Sequence, residues 1–315
     1  GVQTCALPIW WLAVNDKIHV NGYYDFKKNK NLYLMMLPFL ILFFTFTVLP
    51  VLTSMLFSLT DFNILQFPRF IGLSNYRKLF LEDDIFITAI KNTFIIAVVT
   101  GPIGYLLSFL MAWLINELPP KIRAVLTIIF YATSISGNVY LVFTMIFSSD
   151  PYGYLNARLL DWGILDEAVL WLQDPQYMLT IVILVSLWIS LGLGFLSFIA
   201  GLQTIDKTQY EAGEVDGITN RWQELWFITL PNMKPQLMFG AVMSITSALG
   251  VGDITVALTG FPSTGYAAHT IVNHLNDYGS IRMEMGYASA IAVVLFAIMM
   301  LSNRLVQKFI KRVGT

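Results

Sequence analysis

Tyr177-Met-Leu-Thr-Ile-Val-Ile-Leu-Val-Ser-Leu-Trp-Ile-Ser-Leu-Gly-Leu-Gly-Phe-Leu-Ser-Phe-Ile-Ala-Gly-Leu202 runs for 26 residues without a charged side chain. A hydrocarbon core about 30 Å thick takes roughly 20 apolar residues at a helical rise of about 1.5 Å each. The stretch is therefore long enough to cross a bilayer. It lacks the apolar–polar alternation over about ten residues that marks a membrane β-barrel strand. A backbone in lipid must satisfy its own polar groups, so the segment predicts a helix. Five further stretches qualify by the same reading, at 32–58, 92–115, 124–147, 237–258 and 285–306. Pro38, Pro50 and Pro102 inside them predict kinks rather than breaks.

Composition agrees with an all-α integral membrane protein of six spans. Of 315 residues 56% are hydrophobic and only 12% charged, with mean hydropathy +0.66. A soluble domain of this size has too little interior to hide that much apolar surface. One cysteine, Cys5, excludes a disulfide scaffold, and a net charge of −1 argues against nucleic acid as a partner. Alternating the spans puts 13 of the 19 Lys and Arg residues on the side of the N-terminal tail and 6 on the other. The positive-inside rule makes the first side cytoplasmic and places both termini there. The tail covers 1–31; its first ten residues, with no initiator Met and no basic leader, read as an incomplete start or a foreign leader. Residues 32–312 form the membrane domain. The outer segment 148–176 carries five acids and one Arg, with Trp162, Leu165, Val169, Trp171 and Leu172 predicting a short interfacial helix.

Catalytic and metal motifs are missing. There is no G-x-x-x-x-G-K-[ST], no H-E-x-x-H and no C-x-x-C. The chain is therefore not expected to be an enzyme or to bind a cofactor. His269 and His274, five apart, do not share a helix face, and no metal site is expected. Asp253 is the one acid well inside the spans. Intramembrane acids mark ion relays. A lone one at a span end reads equally as a mouth residue hydrogen-bonded to backbone at the Gly250/Gly252 break.

The cytoplasmic segment 203–235 holds the most information. Asp206 is placed to cap a helix starting at Lys207, and Gly217 to stop it. Asn220 can cap a second short helix through Trp222, Leu225 and Trp226, ended by Pro231. The apolar stripe, ringed by Glu211, Glu214, Asp216 and Arg221, suits a partner groove or the lipid surface.

Glu211-Ala212-Gly213, Asp216-Gly217 and Ile228-Thr-Leu230-Pro231 resemble the "EAA" loop of binding-protein-dependent ABC importer permeases. That pattern is E-A-A, three residues, G, nine residues, I-x-L-P. Here the third position is Gly213, and ten residues separate Gly217 from Ile228. Phe70-Ile-Gly-Leu-Ser-Asn-Tyr76, Trp171-Leu-Gln-Asp-Pro175, Ala200-Gly-Leu-Gln203 and Leu258-Thr-Gly-Phe-Pro262 are similar to the carbohydrate-uptake branch, with its maltose-type and glycerol-phosphate-type subunits.

The resemblance implies the maltose-type permease fold in a bacterial cytoplasmic (inner or plasma) membrane. It implies that Glu211 makes a charged contact with a separate ATPase, which carries the ATP and Mg. Ala212 and Gly213 would allow close approach, and Gly217 the turn. Further partners implied are a second permease subunit, an extracellular or periplasmic solute-binding protein and membrane lipid. A sugar or oligosaccharide path between the fourth and fifth spans would involve Gly192, Gly194, Ser244, Thr246, Ser247 and Asp253, although Gly and Ser serve helix packing as well. The alternative is a stand-alone secondary transporter or channel for a small polar solute. It calls for an inverted repeat and relay acids, neither of which is clear in the sequence.

Overall fold

A computed structural model describes residues 30–135 and 139–310. The tail to residue 29, Asn138, Lys311 and Arg312 lie outside the described residues. The chain divides into two compact units, Gly1–Thr53 and Ser54–Thr315. In the first, α1 (Lys30–Phe43) carries Pro38 without interruption. A π-helical turn, Phe44–Val48, precedes α2 (Leu49–Phe57), which holds Pro50. Proline has no N–H to give the carbonyl four residues back. The expected distortion at Pro50 is this widened turn.

In the second unit a strap follows the end of α2. Thr60 bridges Phe70, and Gly72 turns the chain at φ +60° into α3 (Ser74–Leu81). Asn75 donates from Nδ2 to the carbonyls of Ser58 (2.9 Å) and Thr60 (2.8 Å), and the Tyr76 hydroxyl donates to Ser58 Oγ at 2.8 Å. The Gly, Asn and Tyr of the family-like segment are thus the residues that tie the strap.

Helix α4 (Asp84–Asn116) starts eight residues before the predicted span, because the Asp83 side chain caps it by accepting from Phe86 N–H at 2.9 Å. It runs on through Pro102. The third predicted span is described as α5 (Pro120–Ile135) and α6 (Val139–Ile146). The fourth is two helices, α8 (Pro175–Ile189) and α9 (Leu193–Thr204), separated at Ser190–Gly192. The fifth is α13 (Lys234–Leu249) and α14 (Asp253–Thr259), bent by 42° at 250–252. The sixth is α16 (Met285–Ile310). Among the described residues, four helices are long and apolar enough to cross a membrane, five if the bent pair is one span.

Helix α4 is the spine, packing against α8, α9 and α13. One buried cluster joins Phe109, Ala112 and Ile115 to Phe195, Phe198 and Ile199 of α9 and to Leu237 and Ala241 of α13. The segment 148–176 forms one short helix, α7 (Tyr154–Asp161), but upstream of the expected one: Trp162, Leu165, Val169, Trp171 and Leu172 lie in the turns that follow it. It is fastened by a residue that no apolar pattern flags. Fully buried Asn156 donates to the carbonyls of Ser148, Asp150 and Val169, and accepts from Val169 N–H and Trp171 Nε1.

His269 and His274, expected to stand apart, meet: His269 Nε2 and His274 Nδ1 are 3.3 Å apart. His269 precedes α15 (Ile271–Asn276) instead of sharing a helix with His274. His274 Nε2 lies 3.0 Å from Asp83 Oδ2, which also accepts from the Tyr287 hydroxyl at 2.8 Å. Burial pushes the Asp83 carboxyl up, but the hydrogen bonds from His274, Phe86 N–H and Tyr287 outweigh it and hold Asp83 well below the usual carboxylate range. Burial, then the neighbouring His274, bring His269 down to about 4, against smaller opposing pulls from Asp277 and Asp83. The unfolded chain therefore binds a proton at His269 that the folded chain refuses between about pH 6.5 and 4. Stability rises with pH across that window, by up to roughly 3 kcal/mol for the single group. Thermal unfolding of the solubilised protein between pH 6.5 and 5 should show a falling midpoint, and His269→Gln should flatten the slope. An unchanged slope in that variant would contradict the assignment.

Candidate functional site

Two places in the second unit bring the sequence-nominated residues together. The first is the segment 203–235. Asp206 caps α10 (Lys207–Val215) by accepting from Thr208 N–H at 3.1 Å. The helix ends in a Schellman turn: Ile218 N–H reaches the Gly213 carbonyl (2.9 Å) and Gly217 N–H the Glu214 carbonyl (3.2 Å). That turn needs the left-handed residue Gly217, at φ +94°. Asn220 then caps α11 (Arg221–Glu224) by accepting from Trp222 N–H at 3.1 Å.

The second helix departs from expectation. Pro231 does not end it. Helix α11 passes through a π-helical turn, Leu225–Thr229, into α12 (Leu230–Asn232), and Pro231 follows that turn as Pro50 follows Phe44–Val48, its missing N–H met by the widened turn. A π turn is how a helix absorbs one extra residue. The ten-residue spacing between Gly217 and Ile228, one more than the family-like pattern, ends inside this turn.

The two helices are fastened to each other. The Tyr210 hydroxyl and Thr229 Oγ1 are 3.0 Å apart, and Asn232 Nδ2 donates to Gln209 Oε1 at 2.6 Å and to the Ile228 carbonyl at 2.8 Å. Gly213 is buried against Ile228: a Cβ there would lie 2.7 Å from Ile228 Cδ1 and 3.2 Å from Ile218 Cδ1. Ile228 is buried, and Leu230 packs on the cluster that contains Phe109 and Phe198. On the open side, Glu211, Ala212 and Asp216 are exposed, and Val215 is 88% exposed. The loop therefore presents one free acidic and apolar helix face while its other face is anchored to the transmembrane core.

The second place is a cavity of about 600 Å³ between α4, α8, α9 and α13. Gly192, Gly194, Ser244, Thr246, Ser247 and Asp253 all line it. Their chemistry differs from expectation in two respects. Ser244 donates its hydroxyl to the Gly101 carbonyl at 2.8 Å and Thr246 to Val242 at 2.9 Å, so those protons are spent on backbone. Asp253 is exposed and takes no hydrogen bond among the described residues. The backbone of its break is satisfied instead by Thr255, which donates to the Gly252 carbonyl (2.6 Å), and Thr270, which donates to that of Val251 (2.8 Å). Ser247, Tyr131 and Tyr140 line the cavity with hydroxyls that have no partner among the described residues. The two tyrosines were not singled out in the sequence, where nothing but their place within a span distinguishes them.

A description of binding-protein-dependent transport system inner membrane components matches residues 6–315. The chain belongs to this family. It is 32% identical over 291 residues to the probable ABC transporter permease protein YesP of Bacillus subtilis, covering 88% of this chain and 92% of that protein. It is 31% identical over 246 residues to the lactose transport system permease protein LacF of Rhizobium radiobacter, covering 77% and 79%. In fold it is similar to a subunit of a bacterial ABC transporter involved in the import of the acidic polysaccharide alginate, with a TM-score of 0.73 at 25% identity over 93% of this chain and 99% of that one. As a binding-protein-dependent permease the chain is a multi-pass membrane component, and the relatives named are transport subunits rather than enzymes.

In this permease the Gly213–Ile228 contact sets how closely α10 lies on its support. Gly213→Ala should be tolerated, because the end of a flexible Ile side chain can swing away and the helix gains about 1 kcal/mol of propensity. Gly213→Leu should lift α10 and expose the loop, speeding tryptic cleavage at Lys207 several-fold. Equal cleavage of the Leu variant and the parent would refute the contact's role.

Proposed function

We propose that this chain is one membrane-spanning half of an ABC importer for a sugar or oligosaccharide, driven by a separate ATPase through α10. The observation that carries the reading is the two-faced loop: a free Glu211–Ala212–Val215 surface on one side, and on the other a hydrogen-bonded anchor running through Tyr210, Thr229 and Ile228 to the α4–α9–α13 core. A helix held this way moves with the helices it is anchored to. Pushing on α10 would turn the core around the central cavity, which would open alternately to either side.

In this reading both termini are cytoplasmic and six spans cross a bacterial cytoplasmic membrane. ATP and Mg sit on the ATPase dimer. A second permease closes the other half of the path, and a solute-binding protein delivers cargo from outside. The names of relatives support a saccharide cargo: LacF for lactose and the arabinooligosaccharide permease AraP, 28% identical over 271 residues. A related structure solved with an alginate pentasaccharide-bound periplasmic protein supports a delivery partner. The cavity suits such cargo, since unspent Ser247, Tyr131 and Tyr140 hydroxyls can exchange hydrogen bonds with sugar hydroxyls.

A Glu211→Lys, Gly217→Pro double variant reverses the charge on the free face and forbids the left-handed turn. Cells carrying it should retain the permease in the membrane but lose uptake at least tenfold, while ATP hydrolysis by the complex stops responding to cargo. Uptake at the parental rate would refute coupling through α10.

A further inference from the structure

A second cavity, of about 560 Å³ and wide open to the surface, adjoins the central one and shares Asp253 with it. Phe261, Asn273, Asn276, Ser280 and Ile281 complete most of its wall. It lies beside the loop 260–284, on the side opposite α10 in the proposed orientation. Its polar groups are largely unspent. The Asp253 carboxylate, the Asn276 amide and the Ser280 hydroxyl have no hydrogen-bond partner among the described residues. Asn273 is 3% exposed; its Nδ2 donates to Thr255 Oγ1 at 2.6 Å, and its buried Oδ1 has no partner. That atom is sealed against Gly252, so Asn273 braces the wall while Asp253, Asn276 and Ser280 face the open space.

These groups sit beside apolar surface. The Phe261 ring is half-buried and backed by His269, with centroids 5.9 Å apart, and Ile281 is 62% exposed. An aromatic or aliphatic wall with carboxylate, amide and hydroxyl groups around it matches a pyranose, which has apolar C–H faces and a rim of hydroxyls. The volume is in the range of small-ligand sites. The wall has one charge, and it is negative. Arg282, next to Ile281, is not part of the lining: it is held by Asp277 at 2.7 Å over the Tyr278 ring.

Resting on the carbohydrate reading above, we propose that this second cavity is an outer saccharide subsite that accepts an uncharged sugar unit and passes it to the central cavity across Asp253. The Asp253 carboxylate accepts hydrogen bonds from sugar hydroxyls on either side of the helix break. A uronic acid unit meets that carboxylate with no cation in the wall to offset it. Asp253 therefore selects against acidic saccharides.

The test uses the permease with its membrane-bound partner subunits in lipid nanodiscs, without solute-binding protein, and saturation-transfer NMR with two probes of equal length, maltotriose and trigalacturonic acid. Maltotriose should give the stronger signal. Asn276→Ala with Ser280→Ala should weaken it about fivefold, as expected for losing one or two hydrogen bonds. Asp253→Asn should bring trigalacturonic acid close to maltotriose. If the double variant binds maltotriose like the parent while Tyr131→Phe with Tyr140→Phe does not, the outer subsite is overturned and the carbohydrate reading stands. Equal parental signals from the two probes overturn the selection by Asp253. No signal from either probe overturns the subsite and counts against the carbohydrate reading as well.

Discussion

A helix that breaks inside a membrane leaves carbonyl and amide groups that water cannot satisfy, and the rest of this structure depends on how those groups are covered. Two of its helices break, at Ser190–Gly192 and at 250–252. Side-chain hydroxyls close both. Ser190 turns back on the Leu187 carbonyl at 2.6 Å while Ser108 reaches that of Ser190 at 3.3 Å. Thr255 and Thr270 cover Gly252 and Val251. Irregular backbone at this depth is tolerable only where protein or an aqueous cavity surrounds it. Here the two breaks face the same cavity. The fold thus converts a liability of membrane helices into a polar space in its core.

The same constraint distinguishes the hydroxyls that hold the fold from those free to meet cargo. Ser244 and Thr246 look like cargo ligands by type and depth, but each returns its proton to a carbonyl. Tyr131, Tyr140 and Ser247 do not. Asp253 is left bare because the threonines do the covering that a carboxylate, having no proton to donate, could not do. The movement proposed for α10 would reach this space through Ile228 and Leu230 and the cluster around Phe198 without breaking the covered backbone.

Much of this was legible in the chain. Uninterrupted apolar runs marked the helices, since lipid exposes every charge that does not belong. The Asp206 and Asn220 caps and the Gly217 turn could be read because capping is local. The extra residue between Gly217 and Ile228 was countable, but the π turn at Leu225–Thr229 was not, because a π turn has no composition of its own. The cluster of Asp83 with His274 and Tyr287 was out of reach, its members lying 191 and 204 residues apart. Asn156 was missed for a related reason: its bonds are mostly to backbone, and backbone carries no residue code. The Gly192 and Gly252 breaks stood between. Gly250 and Gly252 announced the second, whereas the first falls inside 177–202, which reads as one uninterrupted helix; which hydroxyls would close either depended on packing between helices.

The central claim is that this chain moves cargo only when another subunit hydrolyses ATP. Accumulation of a radiolabelled saccharide, recognised by its solute-binding protein, into proteoliposomes holding the assembled transporter tests it most directly. The account predicts uptake with ATP inside the vesicles and none when the ATPase is omitted or ATP is replaced by a non-hydrolysable analogue. Uptake by this chain alone, driven by an ion gradient without ATP, would contradict it.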